Sequence, residues 1–205
     1  MRTLKYIVIA VTALMLSGCW TLSIHPLYTQ EDLIADPMLV GKWYSPDDLD
    51  QLWMFEANGE KSYRLTIVEG IETQLKEAVE NKTRLVLTVD PDKDAMFDIH
   101  LLKLGQTTFM DFYPEEPANV NEFYKFHVIP AHSFSRVSIE GNVLNLQFFD
   151  AEWLMEQMDE GKVSIKVEDW NDLRVITAET EDLQKFVLDH ADEAFEEPQL
   201  LKRLE

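Results

Sequence analysis

Apolar and polar residues alternate along much of this chain. Tyr63, Leu65 and Ile67 share one parity, and Ser62, Arg64 and Thr66 the other. Leu85, Leu87 and Val89 alternate with Arg84, Val86 and Thr88; Phe97, Ile99 and Leu101 with Asp98, His100 and Leu102; Leu144, Leu146 and Phe148 with Asn145 and Gln147. A period of two puts one set of side chains on a buried face and the other toward water. That is the pattern of an antiparallel sheet rather than of a parallel sheet covered on both faces. Strands are predicted at 39–44, 52–57, 61–68, 84–89, 97–102, 107–113, 123–129, 134–140, 144–148, 163–168 and 173–177. Asn58-Gly59 and Glu140-Gly141-Asn142 mark tight hairpins between consecutive strands. A sheet of about ten strands curls or closes on itself, which removes its exposed edges.

Two stretches switch to helical spacing. Ala151, Leu154, Met155 and Met158 fall at i, i+3, i+4 and i+7, with Asp150 placed to cap the start and Gly161 to end the helix. A second helix is predicted from about 181 to 195, with Leu183, Phe186, Val187, His190 and Ala194 on one face. Thr180 is its expected cap, and Glu181 and Asp182 suit the positive end of its dipole. Residues 73–82 read either as a polar strand or as a loop with one helical turn.

The first eighteen residues break the alternation. Arg2 and Lys5 precede an apolar run over 6–16. A bilayer span needs about 20 apolar residues, so the run is a cleaved secretory signal rather than a permanent membrane helix. It leads into Leu16-Ser17-Gly18-Cys19, which holds the only cysteine of the chain. This stretch resembles the lipobox of bacterial lipoproteins. The resemblance implies a diacylglycerol thioether on Cys19, cleavage before it, and acylation of the new amino terminus with a fatty acid such as palmitate. Two or three acyl chains hold a protein firmly where one does not. In the sorting rule of that family, an aspartate after the cysteine retains the protein in the inner membrane. Trp20 stands there instead, so the expected location is the outer membrane, facing the periplasm. The expected organisation is a signal peptide over 1–18, a lipidated terminus, tether and cap over 19–38, and one β domain over 39–205.

Charge narrows the list of partners. Removing the signal takes two basic residues and no acidic one from a chain of net charge −20, leaving −22. Nucleic-acid binders carry basic patches, and none stands out here. The carboxylates are spread along the chain and read as a solvated surface. With its one cysteine acylated, the protein has no thiol left for a disulfide or a metal.

The catalytic and metal-binding motifs of the chain are each incomplete. The run Asp90-Pro91-Asp92-Lys93-Asp94 starts like a calcium loop, but Ala95 and Leu101 stand where glycine and the terminal glutamate are required. His25, His100, His127, His132 and His190 lack the spacing of a helical zinc site. His132-Ser133 sets a base beside a nucleophile in sequence only, without a Gly-x-Ser-x-Gly elbow. No catalytic residue, metal site or cofactor is expected. Trp53, Phe55, Phe109, Tyr124, Phe126 and Phe148 fall on predicted strands, where they would line a cavity for a hydrophobic ligand or fill a closed core.

Gly41-Lys42-Trp43 opens the first long strand and resembles the Gly-x-Trp mark of the lipocalins. The resemblance implies an up-and-down barrel whose closed end is plugged by Trp43. An arginine from near the last strand then covers the indole, with a helix after that strand. Arg174, on the last predicted strand, is the candidate. The order His25-Pro26-Leu27-Tyr28 followed by Gly41-Lys42-Trp43 is also similar to a group of bacterial lipoproteins. The helix at 151–160 and the count of about ten strands depart from the lipocalin pattern. The expectation is a mainly β, lipocalin-like antiparallel barrel with a mid-chain and a C-terminal helix. It is expected to be an envelope lipoprotein without catalytic activity, in a binding or accessory role for a hydrophobic ligand or an envelope protein. A protein-interaction module and a hydrolase are the alternatives.

Overall fold

The computed structural model describes residues 21–204 apart from 118, 126, 171 and 172, and at Glu122, Tyr124 and Trp170 the backbone alone. Cys19, the signal segment and Phe126 therefore lie outside the described residues, as does the side chain of Tyr124.

The strands in chain order are β1 (Leu22–Ser23), β2 (Leu33–Ile34), β3 (Gly41–Tyr44), β4 (Leu52–Ala57), β5 (Ser62–Val68), β6 (Ala95–Leu104), β7 (Thr107–Pro114), β8 (Ser133–Glu140), β9 (Val143–Phe148), β10 (Val167–Trp170), β11 (Leu173–Ile176) and β12 (Gln199–Arg203). Three helices are α1 (Glu72–Asn81), α2 (Ala151–Asp159) and α3 (Thr180–Asp189), with a 3-10 turn at Pro37–Leu39 and a single helical turn at Glu122–Lys125.

Eight strands close into an antiparallel barrel in the order β3-β4-β5-β6-β7-β8-β9-β12. The seam is β12, which pairs Gln199 to Lys202 with β9 on one side and Lys202 and Arg203 with Tyr44 and Trp43 of β3 on the other. Every barrel strand then has two partners, so no row of backbone donors faces an empty edge. The short β2 adds to β6 through Leu33–Leu102 and Ile34–Leu101. A separate three-stranded sheet, β1-β11-β10, lies outside the barrel.

Strand direction gives the barrel two different ends. The hairpins β4–β5, β6–β7 and β8–β9 turn tightly at one end. The long connections β5–β6, β7–β8 and β9–β12 leave from the other, here called the rim. Residues 21–34, expected to begin as a tether, are built into the fold. The leader arrives at the rim, where Thr21 is 3% exposed and bonds the Phe149 carbonyl. Ser23 pairs with His132 there, and the chain then crosses the outer wall to β6.

Three apolar clusters hold this arrangement. The lumen is filled from the inward parity of the strands, among them Trp43, Phe55, Leu65, Ile99, Phe112, Leu146 and Leu201. An outer layer packs Leu27, Phe109, Phe134 and Phe149 with Leu154 of α2 and Leu183, Phe186 and Val187 of α3. A third cluster seats Leu75 and Ala78 of α1 against Leu52 and Val68.

Several elements differ from expectation. The barrel has eight strands rather than about ten. Residues 84–89 form no strand; Leu85 and Leu87 pack with α1, so their alternation serves that cluster and not a ladder. The segment 123–129 holds a helical turn instead of a strand. The strand expected at 163–168 starts only at Val167 and belongs to the small sheet. The ambiguous 73–82 is helix α1, ending in a left-handed Lys82 at φ 52°. The last helix stops at Asp189, and β12, which closes the barrel, follows it. Asp150 does cap α2, its carboxylate accepting from the Trp153 amide, and Gly161 takes the left-handed position after it at φ 69°.

Candidate functional site

Three parts of the barrel bear on its chemistry: the plugged end, the lumen and the outer wall. At the plugged end Trp43 is fully buried and donates its indole N–H to the Leu39 carbonyl at 2.8 Å. The cation over its ring is Arg203 of β12, 4.1 Å from the ring centre. Arg174 is elsewhere, held in the small sheet by Asp169 at 2.7 Å and Asp159 at 3.3 Å. The arginine does come from the last strand, but that strand is β12 and not β11. Gly41 lies directly beneath the Arg203 guanidinium.

The lumen is occupied by its own side chains. Trp53, Phe55 and Phe148 point inward and are buried, and with Phe112 they form a chain of tilted and edge-on ring contacts. Centroid separations are 6.4 Å for Trp53–Phe55, 6.4 Å for Trp53–Phe112 and 5.6 Å for Phe112–Phe148. Such contacts fill space as a core does. Phe109 faces the other way, into the outer layer, 5.9 Å from Phe195. The described side chains of that aromatic set are thus divided, Trp53, Phe55 and Phe148 inside the wall and Phe109 outside it.

The outer wall carries a band of polar residues that the outward parity of β5, β6 and β7 lines up in register. Arg64 lies across from Asp98, Asp98 from Tyr113, and His100 from Asp111. Asp111 is fully buried; one carboxylate oxygen accepts from the Leu27 amide at 2.9 Å and the other pairs with His132 Nδ1 at 2.6 Å. A buried carboxylate is tolerated only when it is paired and hydrogen-bonded in this way. Tyr113 packs on the His132 ring at 4.5 Å and Tyr28 stacks on His100 at 4.6 Å. Burial, together with the Asp111 and Asp98 carboxylates, pushes the Tyr28 phenol up to about 12.

The segment His25-Pro26-Leu27-Tyr28 is the strap across this band. Besides the Leu27 amide and the Tyr28 ring, its Pro26 carbonyl accepts from Thr180 at 2.9 Å and its Leu27 carbonyl from Gln184 at 2.9 Å, both on α3. The motif therefore locks leader, barrel wall and terminal helix together.

Beside the strap, the β7–β8 connection folds over the wall and encloses a groove of about 890 Å³. Pro114, Pro117, Val120, Val128 and Pro130 give it apolar sides; Asp98, Tyr113 and Asn58 give it a polar floor. Two ion pairs fix its frame, Arg64–Glu115 at 2.6 Å and Lys125–Glu116 at 2.8 Å. On the floor, one carboxylate oxygen of Asp98 is buried without a hydrogen-bond partner among the described residues, and the other lies 3.8 Å from Nδ1 of His100, which sits beneath Tyr28 outside the groove. An orphaned acceptor of this kind costs about 1–3 kcal/mol unless something bonds to it.

His132 and Ser133 point to opposite faces of β8, the first to the wall and the second into the lumen, where it is buried. Among the described residues no three His, Cys, Asp or Glu side chains are grouped to hold a metal ion, and no helix is long and apolar enough to cross a membrane. The groove was not anticipated from the sequence. Asp111, a lone carboxylate inside the apolar run Phe109-Met110-Asp111-Phe112, signals instead the buried pair with His132 under the strap. Fold and site together define a closed antiparallel barrel with a filled lumen and a ligand-sized groove on its outer wall. Comparison of the chain with protein-family models, with curated proteins and with solved structures returned no match.

Proposed function

We propose that this protein is a lipid-anchored envelope lipoprotein with a lipocalin-like barrel, held at the outer membrane through Cys19 and facing the periplasm. Its role is non-catalytic binding, and its ligand occupies the groove on the outer wall rather than the lumen. The observation that carries this reading is the groove's composition: apolar sides over a floor with an unsatisfied carboxylate oxygen on Asp98. That chemistry suits a molecule with an apolar body and a hydrogen-bond-donating or cationic head. The groove frame offers no serine or cysteine nucleophile, and Glu115 and Glu116 are each engaged by a cation.

The test is solvent extraction and mass spectrometry of protein purified from membranes. An amphipathic molecule should accompany the native chain. Asp98→Asn should lower its occupancy about tenfold, because a charge-assisted hydrogen bond contributes about 1.5–3 kcal/mol. Val120→Trp should displace it by filling the groove. A native chain that carries no small molecule, or a molecule retained equally by both variants, overturns the groove assignment.

A further inference from the structure

Basic residues are the minority in this chain, 18 against 38 acidic ones, yet three of them meet in one pocket. Carboxylates line two other hollows of the surface: Glu72, Glu77 and Glu80 along α1, and Asp98, Glu115 and Glu116 in the groove. The third pocket, of about 520 Å³, is lined by Lys42, Lys82, Arg84, Leu85 and Leu204, and by no carboxylate. It lies on the outer wall beside the seam of β3 and β12, where the Leu204 amide donates to the Lys42 carbonyl at 2.8 Å.

The three cations reach the pocket from different places. Lys42 stands on β3 next to the inward Trp43, so its parity carries it outward. Its Nζ donates to the Leu85 carbonyl at 2.8 Å. An ammonium has three donors, so this bond fixes the head and leaves two donors for a ligand. Lys82 and Arg84 follow α1, whose last turn holds no basic residue. They are placed beyond the turn in which a cation best offsets the helix dipole. Lys82 has φ 52°, the one left-handed conformation of a non-glycine residue among the described residues. Glycine or asparagine ordinarily takes that place after a helix, and a lysine there is strained.

Among the described residues no carboxylate forms an ion pair with Lys42, Lys82 or Arg84. Converging like charges repel one another, and an anion between them relieves that repulsion. A phosphate group offers a charge of about −1.5 to −2 and three strong acceptor oxygens. A carboxylate offers a single charge and two oxygens. Three cations from separate points match the first better than the second. The apolar Leu85 and Leu204, and a volume larger than a bare anion needs, leave room for the body that carries the phosphate. A single enclosed cluster suits one phosphate, not the row of phosphates that a nucleic acid presents.

We propose that this pocket is a binding site for a phosphate group, held by Lys42, Lys82 and Arg84. The site is separate from the groove and depends neither on the groove's ligand nor on acylation of Cys19.

Isothermal titration of the full protein with inorganic phosphate, hexyl phosphate and hexanoate tests it, at an ionic strength of about 0.1 M, where exposed charges more than about 10 Å apart are largely screened. Both phosphates should bind at one saturable site, and hexanoate at least about tenfold more weakly. Lys82→Ser and Arg84→Ser should each weaken hexyl phosphate by at least about fivefold. Lys103→Ser removes the same charge from β6, outside the pocket, and should change the affinity by less than about twofold. Lys82→Gly should weaken binding as Lys82→Ser does while raising the melting temperature, because glycine takes a left-handed φ without strain. That pair of results separates the ligand from the fold. Hexyl phosphate bound more than tenfold tighter than inorganic phosphate identifies a phosphorylated amphiphile as the ligand; affinities within tenfold identify a small polar phosphate. Heat that does not saturate, equal weakening by Lys103→Ser, or hexanoate bound as tightly as hexyl phosphate overturns the proposal. So does binding that appears only in Glu205→Gln, since the residue after Leu204 then occupies the pocket itself.

Discussion

Arg203 joins three parts of the plugged barrel end through one side chain. Its guanidinium covers the Trp43 indole at 4.1 Å, donates to the Val40 carbonyl at 2.8 Å, and also donates to the Met38 carbonyl. These contacts require the backbone at position 41 to pass close below. Gly41 has φ 147°, and a β-carbon there would collide with the guanidinium. The glycine of Gly-x-Trp is therefore explained twice, by a backbone conformation that costs other residues about 1–3 kcal/mol and by the space the arginine occupies. The two causes separate in a double-mutant cycle. In urea unfolding, Gly41→Ala should cost more in the native background than in Arg203→Ala, with a coupling of about 1 kcal/mol. Strictly additive costs would show that glycine answers only to backbone conformation. Trp43→Ala, which empties a fully buried site, should cost about 3–5 kcal/mol.

Among the elements, β12 decides whether the sheet is a barrel. It is five residues long, with Leu201 its only fully buried side chain, yet it supplies the ladder for β9 and β3 together. Ending the chain after Pro198 should expose two long edges at once. The truncated protein is expected to lose cooperative unfolding and to aggregate during size-exclusion chromatography; a monomer with a sharp transition would show that the other strands suffice. The same strand explains what could be read from the sequence. Long alternations such as those of β5, β6 and β9 were legible, because a residue pattern repeated over three periods outweighs local accident. Five residues with one inward leucine carry no such pattern, and only Pro198 separates them from the preceding segment. Missing β12 promoted β11 to the last strand and Arg174 to the place of Arg203. The alternation at 84–89 misled in the opposite sense, since a loop packed on α1 buries Leu85 and half-buries Leu87 while leaving Val89 exposed. The groove was illegible for a different reason. It is made by a connection folding back over Asp98 and Tyr113, and register between β6 and β7 places those two together, not spacing along the chain.

Over the whole molecule, a net charge of −20 sets the response to pH, and two carboxylates give it direction. Glu196 follows α3 and donates its amide to the Phe148 carbonyl. Partial burial and the neighbouring Asp150 raise its pKa above the ordinary glutamate value. The folded state then holds this proton more tightly than the unfolded chain. Stability is lost as pH rises through the window just above the ordinary value, and regained on acidification. Relief of repulsion among the carboxylates acts in the same direction. Asp32 has the opposite sign. Desolvation alone would raise its pKa, but hydrogen bonds from Thr29 and Gln184 prevail and lower it. Its contribution is present above the ordinary aspartate value and is lost as pH falls below it, loosening the leader from α3. The melting temperature should therefore rise from neutral pH to a maximum near pH 5, roughly the lower end of the range usual for proteins, and then fall steeply. Glu196→Gln should flatten the slope on the neutral side, and Asp32→Asn the slope on the acid side. At neutral pH, added salt should reproduce part of the gain from acidification by screening the surface charges. If stability instead climbs steadily from pH 5 to 7 and Glu196→Gln leaves that climb unchanged, neither the raised carboxyl nor the collective repulsion governs this barrel.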